Sequence, residues 1–349
     1  MIETPLPQDR PMPGADVNRQ QTAAAADHRG TAKWRPETIT TLSVFAISLL
    51  LLLCSRFVSP ALGSWEHLNT IMMLASFLIV VAFGQGIVIL TGGLDLSTPA
   101  LITLGGVLTT TWIGAAEGSS ELLIPAVLLI CAGIGGISGL GVVLLRIPPF
   151  IMTMATGIIT ASAALGYTSG TPRGAAPPLL VELMKGELVG LPLILVFVLL
   201  FAIAGSAVQS RTSFGRRLTA IGASPAAARV AGIPVGLSTV AAYMTSAGAA
   251  AFAGMMLVGY ANGATLRMGD DYLLPSIAAV VVGGSSILGG SGSFVATIGG
   301  AILLTTLSTV IAALGIPQGW RTVIEGSIIL IALLLLRENT FAWLKRKAR

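Results

Sequence analysis

Charge is scarce in this chain. Asp, Glu, Lys and Arg make up 10% of its 349 residues, against roughly 25% in a soluble domain, which excludes an ordinary water-soluble globule. There are two cysteines, Cys54 and Cys131, each inside an apolar run. They read as small buried hydrophobes and exclude a disulfide framework or a cysteine metal site. The two histidines, His28 and His67, lie outside the long apolar segments, which argues against a metal site or proton relay built on histidine. Only four lysines occur (Lys33, Lys185, Lys345 and Lys347), and none stands in a Gly-x-x-x-x-Gly-Lys-Ser/Thr frame. The phosphate-cradling loop of that type is absent, so any energy-requiring work draws on another chain or on an ion gradient.

What is abundant is apolar surface. Hydrophobic residues form 54% of the chain and the mean hydropathy is +0.87. A bilayer core of about 30 Å needs roughly 20 apolar residues in a helix. Ten stretches meet or approach that length: 38–58, 68–91, 98–116, 122–145, 149–167, 188–208, 237–260, 272–288, 292–314 and 319–336. Residues 1–36 are polar and rich in Pro, Ala and Gln, a composition that predicts a disordered tail. The pI near 9.6 does not signal nucleic acid, because the basic residues cluster as topology determinants do. With the N-terminus placed inside and ten alternating spans, 15 of the 20 lysines and arginines fall on the inner side. They are the tail residues Arg10, Arg19, Arg29, Lys33 and Arg35, then Arg146, then Arg211, Arg216, Arg217 and Arg229 in one loop, then Arg337, Lys345, Arg346, Lys347 and Arg349. That bias predicts both termini in the cytoplasm.

Many of the 42 glycines recur at small-xxx-small spacing, as at Gly135 and Gly139, which lets helices approach closely in lipid. Two clusters differ because polar residues accompany them: Gly92–Gly93 with Asp95, and the run Gly283–Ser293. Each interrupts an apolar stretch, one in each half of the chain. Irregular backbone at membrane depth is tolerated only where protein or an aqueous path covers it. Paired breaks are the sequence hint of an internally repeated transporter fold. Thr98-Pro99 has the form of a helix start, with Thr98 as N-cap and Pro99 at the first helical position. Asp95 either hydrogen-bonds backbone groups freed by the break or contacts a solute.

The connection 209–236 is the longest charged loop between spans. Ser224-Pro225 starts a short helix there, Ala226 to Val230 propagates it and Gly232 ends it. It is either an ordinary positive-inside loop or, as the cap-helix-stop pattern favours, a docking helix for a cytoplasmic partner.

Together these residues resemble the permease subunits of bacterial ABC importers for monosaccharides, of the ribose/xylose/galactose branch. The resemblance is carried by Thr91-Gly-Gly-Leu-Asp-Leu-Ser97, by the loop Thr212 to Val235 with its Thr-x-Phe-Gly-Arg, Ala-Ile-Gly, Ala-Ala-Arg and Gly-Ile-x-Val elements, and by Ile277 to Gly292. It spans about residues 40 to 336. Ser224 stands where the family often has Asn, the N-terminal tail is long, and the outward loop 168–187 matches more weakly. The resemblance implies an all-α polytopic membrane protein with the ABC importer permease fold, about ten transmembrane helices and two Gly-rich breaks. The tail would be 1–36, the permease domain 37–336 and a basic C-terminal tail 337–349. It implies a bacterial inner-membrane location, no catalysis by this chain, and no cofactor or metal. Its partners would be cytoplasmic ATPase subunits, a periplasmic solute-binding protein, a second permease copy or a paralogue, and membrane lipid. The ATPase would dock on the 209–236 loop through Phe214, Gly215, Arg216, Ile221, Gly222, Ser224, Ala227, Arg229 and Gly232. The solute path would run by Gln85, Gly92, Gly93, Asp95, Ser97, Asn262, Gly283, Gly284, Ser285 and Ser286.

Thr153, Thr156, Ser276, Gln318 and Glu325 are further polar residues at membrane depth. Most hydroxyls there bond back to their own helix. Glu325 is expected to pair with Arg321 one turn earlier, and Trp320 reads as an interfacial anchor. The alternative function is an ion-coupled secondary transporter of a small polar solute, for which Asp95 and Glu325 are the carboxylate candidates. An intramembrane enzyme ranks last, for lack of a His/Asp/Glu constellation. Pentoses and hexoses lead among substrates; nucleosides, a furanone-type signal molecule and riboflavin follow.

Overall fold

The computed structural model describes residues 36–57, 62–114, 120–317, 319–324, 326–327 and 330. The expected tail 1–36 lies outside them save for Pro36, as do Gln318, Glu325 and the expected C-terminal tail 337–349. The regular structure of the described residues is helical apart from one hairpin of two two-residue strands. In order the helices are α1 (Pro36–Ser55), α2 (Trp65–Leu90), α3 (Thr98–Leu108, continued by a π-turn Thr109–Ile113), α4 (Ile124–Leu144), α5 (Pro149–Thr168) and α6 (Pro178–Lys185). The strands β1 (Glu187–Leu188) and β2 (Leu191–Pro192) pair antiparallel, Glu187 opposite Pro192. There follow α7 (Leu193–Arg211), α8 (Ser213–Ala223), α9 (Pro225–Val230), α10 (Val235–Ala261), α11 (Leu273–Val282) and α12 (Phe294–Ala313).

Six of these helices, α2, α4, α5, α7, α10 and α12, are long and apolar enough to cross a membrane. The described part of α1 from Thr40 to Ser55, and α3 with its π-turn, are shorter apolar helices. The expectation of ten spans is therefore met only in part among the described residues. Stretch 98–116 is an 11-residue α-helix with a π-turn. Stretch 272–288 is a ten-residue helix that stops where Gly283 and Gly284 follow it. Stretch 188–208 becomes helical only at Leu193, because the hairpin occupies its start. The last stretch, 319–336, is described only in fragments.

Burial sorts the helices into a centre and a rim. In α2, 83% of the most apolar window is buried; in α7, 17% is. A helix apolar all round and buried all round is a core helix, whereas one apolar and exposed faces lipid. α10 shares the centre with α2 and packs on α3 and α4 through small residues. A Cβ on Gly139 of α4 would lie 2.7 Å from Val240 Cα, and one on Gly84 of α2 would lie 2.8 Å from Ser246 Cα. Gly135 likewise abuts the Tyr243 backbone. This is the close approach that small-xxx-small spacing provides in lipid.

Candidate functional site

α2 ends at Leu90, and the chain then turns sharply. Thr91 and Gly92 donate their N–H groups to Val88 O and Ile89 O at 3.0 and 2.8 Å. Gly92 has φ +81°, a left-handed conformation that glycine adopts without a Cβ penalty. Residues 93–97 run free of helix until α3 begins. Their backbone groups need partners at a depth where water is excluded, and a side chain from another helix supplies two of them. Thr153 Oγ1 of α5 accepts from Leu96 N at 3.0 Å and donates toward Leu94 O at 3.3 Å, while also meeting Pro149 O at 2.9 Å.

Asp95 sits at the middle of this segment with 1% of its surface exposed. One carboxylate oxygen accepts from Ser97 N at 3.0 Å and from Ser97 Oγ; the other accepts from Ser246 Oγ of α10 at 2.8 Å. Of the two roles open to Asp95, the structure displays the first: it gathers the donors of the break. Its bond to Ser246 joins residues 151 apart in sequence, so it also pins the break to the central helix. The start of α3 differs from expectation. Ser97 is the N-cap and makes no side-chain capping bond, while Thr98 is the first helical residue. The Thr98 hydroxyl turns back to Asp95 O at 3.0 Å and lies 3.4 Å from Gln85 Oε1, because Asp95 already occupies Ser97. Two buried polar atoms in this cluster have no hydrogen-bond partner among the described residues: Gln85 Nε2 and the Tyr243 hydroxyl. The hydroxyl lies against Gly93, where a Cβ would collide with it.

The second break opens with a different device. Gly284 N bonds to Val281 O at 2.7 Å and Ser285 N to Val280 O at 3.1 Å, the paired bonds of a Schellman stop, with Gly284 at φ +84°. The loop closes on itself through Ser286 N to Ser291 O (3.0 Å) and Gly289 N to Ser286 O (3.0 Å). The start of α12 is fastened by Gln209 at the end of α7. Its Nε2 donates to Gly292 O at 3.1 Å and its Oε1 accepts from Phe294 N.

The two breaks meet. Gly290 N donates to Leu90 O at 3.1 Å, joining the second break to the end of α2. A Cβ on Gly289 would stand 2.7 Å from Gly92 N and 3.1 Å from Gly222 Cα. Gly222 belongs to α8. A Cβ there would overlap Leu90 O and Gly290 N, both backbone atoms. Four glycines from three segments thus bring backbone onto backbone, with no room for a methyl group.

Helices α8 and α9 are organised as the 209–236 pattern implies. Thr212 caps α8 by accepting from Gly215 N at 3.3 Å, and Ser224 caps α9 by accepting from Ala227 N at 3.3 Å. α9 ends in a Schellman pair, Ile233 N to Ala228 O and Gly232 N to Arg229 O, both 3.0 Å. Gly215, Leu218 and Ile221 are buried and Phe214 is half-buried, so this side of α8 faces the bundle. Arg216, Ala227, Arg229 and Val230 are exposed. Arg216 donates to Arg211 O at 2.9 Å and lies 3.3 Å from Ser213 Oγ.

Of the residues singled out from sequence, Gln85, Gly92, Gly93, Asp95 and Ser97 come together, and Gly283, Gly284, Ser285 and Ser286 form the neighbouring break. Asn262 is not among them. It ends α10 at φ +59°, about 24 Å along the helix from Ser246 at 1.5 Å per residue, and accepts from Ala176 N at 3.4 Å. Thr156 meets Ser138 at 2.9 Å, and Ser276 bonds back to Leu273 O. Arg321 donates to Ser308 Oγ at 2.7 Å; its expected partner Glu325 lies outside the described residues. Ser246, Tyr243 and Gln209 were not legible beforehand. A lone serine or tyrosine in an apolar helix carries no sequence mark that separates a cross-helix partner from a back-bonded side chain.

Residues 67–333 match the family described as branched-chain amino acid transport system / permease component. Among curated proteins, the chain is 31% identical over 297 residues to a probable ABC transporter permease of Sinorhizobium fredii, covering 85% of this chain and 89% of that one. It is 33% identical over 287 residues to a ribose import permease of Bacillus subtilis (79% and 86% covered). It is 30% identical over 316 residues to a galactose/methyl galactoside import permease of Escherichia coli (84% and 92% covered). No solved structure matches. A multi-helix membrane chain with paired glycine breaks, matched along most of its length in this way, belongs to the branched-chain amino acid transport system / permease component family.

Proposed function

We propose that this chain is the membrane permease of an ATP-driven importer of a monosaccharide across the bacterial inner membrane. The ribose and galactose permeases among its relatives support the substrate class. In this reading the end of the bundle with α8 and α9 faces the cytoplasm, both termini lie there, and ATPase subunits dock on the loop. The exposed Arg216, Ala227 and Arg229, with Ser224 holding α9 in shape, make the contact. Phe214, Gly215 and Ile221 hold the loop against the bundle, and Gly232 ends α9. A second copy of the chain, or a paralogue, completes the path, and a periplasmic binding protein delivers the solute.

The observation that carries the coupling is the glycine junction. A displacement of α8 cannot be absorbed by side chains at Gly222, because only backbone is there. It passes to Leu90 at the end of α2 and to Gly290 in the second break. Both breaks, and the path residues Gln85, Gly92, Gly93, Asp95, Ser97, Gly283, Gly284, Ser285 and Ser286 on or beside them, then move with the ATPase.

Uptake of labelled ribose and galactose into vesicles holding the complete system tests the function. Uptake should need ATP and binding protein and survive collapse of the proton and sodium gradients. Uptake that persists without ATP and stops with the gradients would establish the secondary-transporter reading instead.

A further inference from the structure

A cavity of about 360 Å³ opens between α2, α11, α12 and the helical residues 319–324 and 326–327, at the end of the bundle away from α8 and α9. That size lies in the range of small-ligand pockets. Leu74, Leu78 and Leu304 give it an apolar wall. Asp270 and Asp271 line it as well. Asp270 is paired with Arg267 at 2.7 Å, the two side chains 45% and 87% exposed, so this edge meets water. Asp271 has no ion pair among the described residues. Arg321 contributes the cationic group. Its Nη2 donates to Ser308 Oγ, but its Nε is buried and has no acceptor among the described residues. A buried charged donor left unpaired is costly, so the site is incomplete without an accepting group.

The rim also meets lipid. Leu274 lines the cavity and is 51% exposed, and Trp320 and Val323, beside Arg321 on the same helical stretch, are 65% and 55% exposed. In a membrane-spanning chain such residues face the bilayer, with tryptophan at its interface.

The geometry points to a site for the headgroup of a zwitterionic aminophospholipid, its phosphate on Arg321 Nε, its ammonium on Asp271 and its first acyl methylenes on Leu74, Leu78 and Leu304. An anionic lipid would satisfy Arg321 but leave the Asp271 carboxylate without a cation. A sugar needs neither fixed charge nor a lipid-facing rim. A free amino acid matches the charges and leaves the apolar wall uncovered. The assignment is independent of which solute the permease carries.

Native mass spectrometry of the detergent-purified protein, with phosphatidylethanolamine and phosphatidylglycerol of matched chains added, tests it. The wild-type protein should retain phosphatidylethanolamine about tenfold better, the worth of one charge-assisted contact. Arg321→Gln should lower retention of both lipids. Asp271→Asn, at an exposed position, should erase the preference without lowering phosphatidylglycerol, and it decides the matter if Arg321→Gln does not fold. Equal retention by wild type, preference for phosphatidylglycerol, or displacement of phosphatidylethanolamine by free leucine would each overturn the assignment.

Discussion

At Thr91–Ser97 the freed backbone and its neighbours are served by side chains: Thr153 from α5, Asp95 within the break, and Ser246 from α10. At Gly283–Ser293 the chain is held mostly by its own backbone, with Gly289 and Gly290 at close approach to Gly92 and Gly222 and one amide, Gln209, fastening the exit. A glycine-held loop has no rotamers to change and transmits a push. A side-chain-held segment can exchange hydrogen-bond partners. The unpaired Gln85 Nε2 and Tyr243 hydroxyl lie in the first break, where such an exchange would give them partners. In this account the second break is the rigid contact and the first is the part that rearranges.

The contrast is open to test by substitution, beginning where the effect is largest. Gly222→Val places carbon against Leu90 O and Gly290 N and should destabilise the protein by about 3 kcal/mol, the upper end of ordinary over-packing. Thermal unfolding in detergent reads this, and a change under 1 kcal/mol would mean the junction is soft. Asp95→Ala strands Ser97 N and Ser246 Oγ and should cost about 2–3 kcal/mol. Asp95→Asn, which keeps acceptor oxygen, should cost less by the same measurement. Gln209→Ala removes one donor and one acceptor at the start of α12 and should cost about 1–2 kcal/mol, visible as faster amide exchange at Phe294. Tyr243→Phe takes away a hydroxyl that has no partner and should leave stability unchanged or raise it by up to about 1 kcal/mol. If the hydroxyl finds a partner elsewhere in the cycle, the same variant slows uptake, which separates resting from working structure.

Much of this was visible in the residues. The breaks announced themselves as polar and glycine clusters inside apolar runs, and Ser224-Pro225 with Gly232 marked α9 through cap chemistry that acts within a few residues. What the chain did not disclose were distant pairings. Ser246 meets Asp95 across 151 residues, and Gly222 meets Leu90 and Gly290 only because three segments converge. The Thr98 cap failed for a local reason, since Asp95 had already engaged Ser97. The span count suffered because hydropathy sees apolar length and not where a helix stops: 272–288 is apolar enough, yet Gly283 and Gly284 end it early.

In the proposed mechanism α8 drives both breaks through backbone contact at Gly222. The most direct measurement is solute transported per ATP hydrolysed by the reconstituted complex carrying Gly222→Ala. ATPase subunits should still copurify and hydrolyse ATP while uptake per ATP falls by about tenfold or more, a shift of roughly 1.4 kcal/mol in coupling. Uptake per ATP equal to wild type would contradict it.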